Sequence, residues 1–171
     1  MRRMYQTVHH FKEQLGHILN WLDAAVAHAD AKKFDSNLYL NFRLAPDQLP
    51  FAFQVRVVCD TAKLGASRLA GKDAPKHEDN EKTIDELRTR VKSVIEYLES
   101  FSAKDFESSA TRTVTTPRWE GKTMTGADYF TEHVNPNFHF HLTTAYAILR
   151  HNGVHLGKKD YLGPLTQTAP A

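Results

Sequence analysis

The sequence predicts an all-α fold: an antiparallel four-helix bundle with a short β-ribbon or extended loop before the last long helix. Three observations carry this. Four stretches place apolar residues at helical spacing, their ends carry capping residues, and the connections between them are of moderate length. With 171 residues the chain is read as one domain, 1–171, long enough for a real core.

The first helix is expected from about Tyr5 to Asp30. Val8, Phe11, Leu15, Ile18, Leu22, Ala25 and Ala29 hold one apolar face there. A mixed loop follows, and a second helix is expected from Pro50 to Ala70, with Gly71 as its stop. Its stripe is Phe51, Val55, Val58, Ala62 and Leu69. The third opens on Thr83-Ile84-Asp85-Glu86, a capping box in which Thr83 and Glu86 satisfy each other's end groups. Ile84, Leu87, Val91, Val94, Leu98 and Phe101 continue it. Each stripe buries about six side chains, at about 1.5–3 kcal/mol for each large one, so packing outweighs helix propensity.

The threonine-rich segment 111–125 breaks the helical habit and reads as a ribbon turning near Gly121. A short helix from Ala127 to about Val134 leads into the last long one. For that helix Asn135 reads as N-cap, Pro136 as first helical residue and Gly153 as stop. The chain after Gly157 reads as irregular, with TQTAPA frayed at its end.

Composition narrows the function classes. Basic residues are scattered among acids for a net charge of +2, which speaks against a nucleic-acid partner. A single cysteine, Cys59, precludes an internal disulfide and fits a reducing compartment. No signal-peptide h-region and no membrane-spanning run are visible, so the expectation is a cytoplasmic protein with no membrane partner.

On the last helix Asn137, His141, Thr144, Ala145 and Ile148 share one face. Asn137 and His141 are therefore a polar pair one turn apart among core residues. Ten histidines invite a metal reading, but their spacing mostly refuses it. His139 and His141 lie on roughly opposite sides of a helix. His151 and His155 are four apart, but Gly153 interrupts them. His141 is the exception, either a core imidazole or a metal ligand. Gln54, one turn into the second helix, is its named partner and must find hydrogen bonds if buried. Asp60 reads as an ion pair with Lys63 or Arg56, or as an accessory group of the site. Tyr146 and His151 are further accessory candidates, and Trp119, Tyr129 and Tyr146 could line a pocket. No phosphate loop, nucleophile elbow, CxxC or HExxH is present.

The segment NFHFHLTTAYAILRHNGVHLGKKDYLG (137–163) resembles the signature of a bacterial branch of the DinB/YfiT-like superfamily, a domain without an assigned function. RLAPDQLPFAFQVRVVCDTAK (43–63) and RLAGKDAPKHEDNEKTIDEL (68–87) agree with it. The resemblance implies a DinB-like four-helix bundle, often a homodimer. Better-known members hold a divalent metal on three histidines, one from the second helix and two from an HxxxH ahead of an LR-x-x-G. Registered on Leu149-Arg150 and Gly153, the pair falls on Asn137 and His141, and the second-helix histidine near Gln54. The implied site is thus Gln54, Asn137 and His141, with His141 the one residue suited to zinc, nickel or manganese.

Three functions follow: a small-molecule-binding protein with a degenerate metal site; a metal-dependent thiol transferase or hydrolase with His141 as ligand; and a structural homodimer. The first needs a cavity beside the polar cluster. The second needs at least three good ligands near His141. The third needs every polar group satisfied and no cavity.

Overall fold

A computed structural model describes residues 2–167. It is mostly helical: α1 (Arg2–Lys32), α2 (Phe51–Ala70), α3 (Ile84–Glu99), α4 (Gly126–Asp128), α5 (Asn135–His151) and α6 (Lys158–Leu162), with a two-stranded ribbon, β1 (Thr113–Val114) and β2 (Met124–Thr125). The expected stripes are the core. Phe11, Leu15, Ile18, Leu22, Val55, Val58, Leu87 and Val94 are all fully buried. The Thr83–Glu86 capping box forms in both directions, at 3.1 and 3.0 Å. Gly71 closes α2 at φ 69°, a left-handed conformation.

Cross-helix pairs give the helix directions. Lys12 meets Glu99 and Asp23 meets Arg88, so α1 and α3 are antiparallel. Gln54 meets His141 and Thr61 meets Asn137, so α2 and α5 are antiparallel as well. Arg56 and Asp60 meet Glu81 and Arg90, while Lys63 reaches Ser93 through His77; α2 and α3 therefore run parallel. A parallel pair requires the chain to return along the bundle between the two helices. Segment 71–83 does this. The 20-residue α2 is about 30 Å long, within reach of an extended segment at about 3.3 Å per residue.

The ribbon forms between 111 and 125 as the sequence predicts, with Thr113 opposite Thr125 and Val114 opposite Met124. The start of the last helix does not lie at Asn135. Asn135 is helical (φ −65°, ψ −50°), and its N–H bonds Phe130 five residues back. The helix instead begins at α4, where Thr125 accepts from the Asp128 N–H at 3.1 Å. It widens to a π-turn over Tyr129–Val134 and continues as α5. Pro136 has no N–H and would crowd the carbonyl four residues before it. The widened turn immediately before Pro136 accommodates it, so the proline sits inside a continuous helical run.

The chain after Gly157 is also more ordered than expected. It forms α6, docked on α1: Trp21 Nε1 donates to the Asp160 carbonyl at 3.0 Å, and His17 bonds the Tyr161 carbonyl at 3.2 Å. Of the TQTAPA end, residues 168–171 lie outside those described. No helix among the described residues is long and apolar enough to cross a membrane.

Gly126 ties the ribbon to the bundle. A Cβ there would stand 1.8 Å from the Ser109 carbonyl oxygen, a backbone atom that cannot rotate away. Gly126→Ala is expected to cost about 1–3 kcal/mol. At about 2–4 °C per kcal/mol for a domain of this size, a thermal melt reads it directly. An unchanged melting temperature would show that the 109–126 contact is dispensable.

Candidate polar cavity between the second and last helices

A cavity of about 470 Å³ lies between α2, the run leading into α5, and the loop of the ribbon. From α2 come Phe53, Val57, Asp60, Thr61, Leu64 and Arg68, one face of that helix. The facing wall is Tyr129, His133, Asn137 and His141, each four residues from the last, a line that is unbroken because the π-turn joins the two helical pieces. Thr116–Trp119 cover one side.

His141 and Gln54 meet directly, with His141 Nδ1 2.7 Å from Gln54 Oε1. Gln54 is buried (2% exposed), and its Nε2 donates to the Leu49 carbonyl at 2.7 Å. The second bond fixes the amide: Nε2 must face Leu49, so Oε1 faces the imidazole and Nδ1 carries the proton. Nε2 of His141 is left as a bare acceptor with no partner among the described residues. Burial pushes the His141 pKa below its ordinary value, which keeps the ring neutral. Asn137 Nδ2 donates to Thr61 Oγ1 at 2.7 Å, pairing the two helices a turn further on.

Asp60 reaches the cavity, but its charge is committed. Its Oδ1 lies 2.9 Å from both Lys63 Nζ and Arg90 Nη2. Of the two partners expected for Asp60, Lys63 is found; Arg56 pairs with Glu81 at 2.6 Å instead. Arg68 Nη1 donates to the Tyr129 hydroxyl at 2.9 Å. Tyr129 stacks on His133 (5.4 Å, 20°), and Trp119 packs edge-on against both. Burial and the Arg68 charge both push the His133 pKa down.

Two accessory candidates do not belong to this site. Tyr146 packs on Trp21 and Tyr161, on the α1–α6 side. It is five residues from His141, which at about 100° per residue turns it well round the helix. His151 is exposed in the last turn of α5, about 15 Å further along the axis. Cys59 is fully buried, and burial pushes its thiol up to about 12, which suits a small core residue. Thr61, Arg68, Arg118 and His133 were not legible as site residues. For His133 the signal was the four-residue spacing of 129, 133, 137 and 141, hidden by reading a helix start at Asn135.

The donor set does not fit a divalent metal. One imidazole nitrogen is available, Gln54 is turned to His141 and Leu49, and the Asn137 amide nitrogen is spent on Thr61. No group of three or more His, Cys, Asp or Glu among the described residues could hold an ion.

An all-α bundle with its polar cluster between the second and last helices is the DinB-like architecture. A family described as a domain of unknown function (DUF1993) matches residues 4–162, and the chain belongs to it. A crystal structure of a DinB family member protein from Shewanella denitrificans is 49% identical, with a TM-score of 0.95 over 98% of this chain and 96% of that one. No curated protein matches.

Proposed function

We propose that the protein binds a small molecule in this cavity without a resident metal, the superfamily's metal position having become a hydrogen-bonded cluster of Gln54, Thr61, Asn137 and His141. One observation carries the reading: His141 is held by Gln54 with Nδ1 protonated and Nε2 free, on the wall of a cavity of about 470 Å³. A purely structural cluster would need no cavity beside it. A metal-dependent thiol transferase or hydrolase would need two more ligands than the cluster offers.

Elemental analysis tests the metal arm. After incubation with zinc, nickel and manganese and then dialysis, wild type and His141→Ala are both expected to hold well under one equivalent. One equivalent in wild type, lost in His141→Ala, would overturn the proposal in favour of the metalloenzyme. Fragment screening by NMR tests the ligand arm. Binders are expected to shift the Asn137, His141 and Trp119 resonances together, and a broad library that moves none of them would retire the cavity as a ligand site.

A further inference from the structure

We propose that the cavity selects a small organic anion: a carboxylate or phosphate group held by Arg68 and Arg118, on an apolar body lying against Phe53, Leu64 and Trp119. The inference rests on the reading that the cavity is a ligand site, and it names the ligand's class.

The charge balance of the lining carries it. Two guanidinium groups reach the cavity, and neither has a carboxylate partner among the described residues. Arg68 is half-buried and bonds only the neutral Tyr129 hydroxyl, its Cζ 6.0 Å from that ring's centroid. Arg118 is exposed and makes no hydrogen bond or ion pair among the described residues. The one lining carboxylate, Asp60, is already neutralised by Lys63 and Arg90.

Other arginines satisfy their charge or their N–H groups within the protein: Arg112 bonds the Leu69 carbonyl and the Ser108 hydroxyl, and Arg43 the Pro46 carbonyl. Arg56, Arg88 and Arg90 each find a carboxylate within 3 Å. Arg68 differs in that it faces a cavity and spends only one N–H on a neutral hydroxyl, which leaves its charge open to an anion there. Its planar fork matches carboxylate and phosphate oxygens two at a time. The other end of the cavity is chemically distinct. The Asn137 amide oxygen and the free Nε2 of neutral His141 can accept from an uncharged donor group, and Phe53, Val57 and Leu64 are apolar. A volume of about 470 Å³ suits a metabolite-sized molecule.

The test uses benzoate, phenyl phosphate and the neutral isostere benzamide on the full chain, read by quenching of Trp119. The second tryptophan, Trp21, is fully buried under α6 and outside the cavity lining, so its emission is a constant background. Benzoate or phenyl phosphate is expected to bind at least tenfold more tightly than benzamide. Arg118→Gln is expected to weaken the anions severalfold more than it weakens benzamide, and so to remove most of that preference. Arg118 has no partner to lose among the described residues, so this variant is expected to fold as wild type does. Whichever anion binds more tightly identifies the preferred group. Benzamide binding as well as benzoate would overturn the anion assignment and leave the ligand site standing. An anion preference unmoved by both Arg118→Gln and Arg68→Gln would overturn the clamp. No binding by any probe or by any neutral fragment would overturn both the inference and the reading beneath it.

Discussion

Replacing Arg90 with alanine is expected to destabilise the protein by about 3 kcal/mol, because it removes a buried guanidinium and leaves Glu81 with Arg56 alone and Asp60 with Lys63 alone. Arg90 is 3% exposed on α3. It stands 2.8 Å from Glu81 and Asp79 and 2.9 Å from Asp60. Glu81 and Asp79 belong to the returning segment, Asp60 to α2, so one guanidinium joins three pieces of chain. The contrast is Arg88, two residues earlier, which pairs with the exposed Asp23. Such surface pairs contribute about 0–1 kcal/mol, so Arg88→Ala is expected to be nearly neutral. Urea titration of both variants separates the cases, and equal losses would show that burial of the Arg90 network is not what matters.

The same network sets an acid limit. Burial raises the pKa of Glu81, but hydrogen bonds from Arg90 and Arg56 outweigh it and leave the carboxyl below its ordinary value. A depressed carboxyl stabilises the fold above the pKa of the unfolded chain. That contribution fades as pH falls through the lower, folded value. Wild type is therefore expected to lose stability on acidification below the ordinary glutamate range. Arg90→Ala, lacking the main bond that lowers Glu81, is expected to show a shallower loss over the same interval.

Phe138→Ala is expected to cost about 3–5 kcal/mol through the void it leaves. Phe138 is fully buried and stacks on Phe11 with ring centroids 3.9 Å apart and planes 20° from parallel. The pair bolts α5 to α1, about 100° round the helix from Asn137. A double-mutant cycle with Phe11→Ala is expected to return a coupling of about 0.5–1.5 kcal/mol, the range for aromatic pairs. A single-variant loss below about 1.5 kcal/mol would mean that α5 collapses onto the gap.

Much of the architecture was legible because it is written locally. Gly71 and the Thr83–Glu86 box mark helix ends through backbone chemistry that holds in any fold. Gln54, Asn137 and His141 were reachable because helical spacing aligns them. The start of the last helix was not. Asn-Pro reads the same at a helix start and after a widened turn, and here the choice is made by Thr125 capping and by Gly126 seated on the Ser109 carbonyl. Arg68, Arg118 and His133 were illegible for a related reason: the loop that brings Arg118 over α2 is placed by contacts far apart in sequence. Nor could spacing show that Gln54 orients His141 and does not itself face a ligand.

The up–down–down–up course of the helices also governs how fast the protein can fold. None of its principal helix contacts is a hairpin of consecutive antiparallel helices. Lys12–Glu99 and Gln54–His141 each join residues 87 positions apart, and Asp23–Arg88 residues 65 apart. A bundle of consecutive hairpins closes short loops first and collects its contacts as it goes. Here large loops must close before α1 meets α3 or α2 meets α5, so the entropy of closure falls early in the search. An all-helical protein of this course folds more like a mixed α/β domain than like a simple up-and-down bundle.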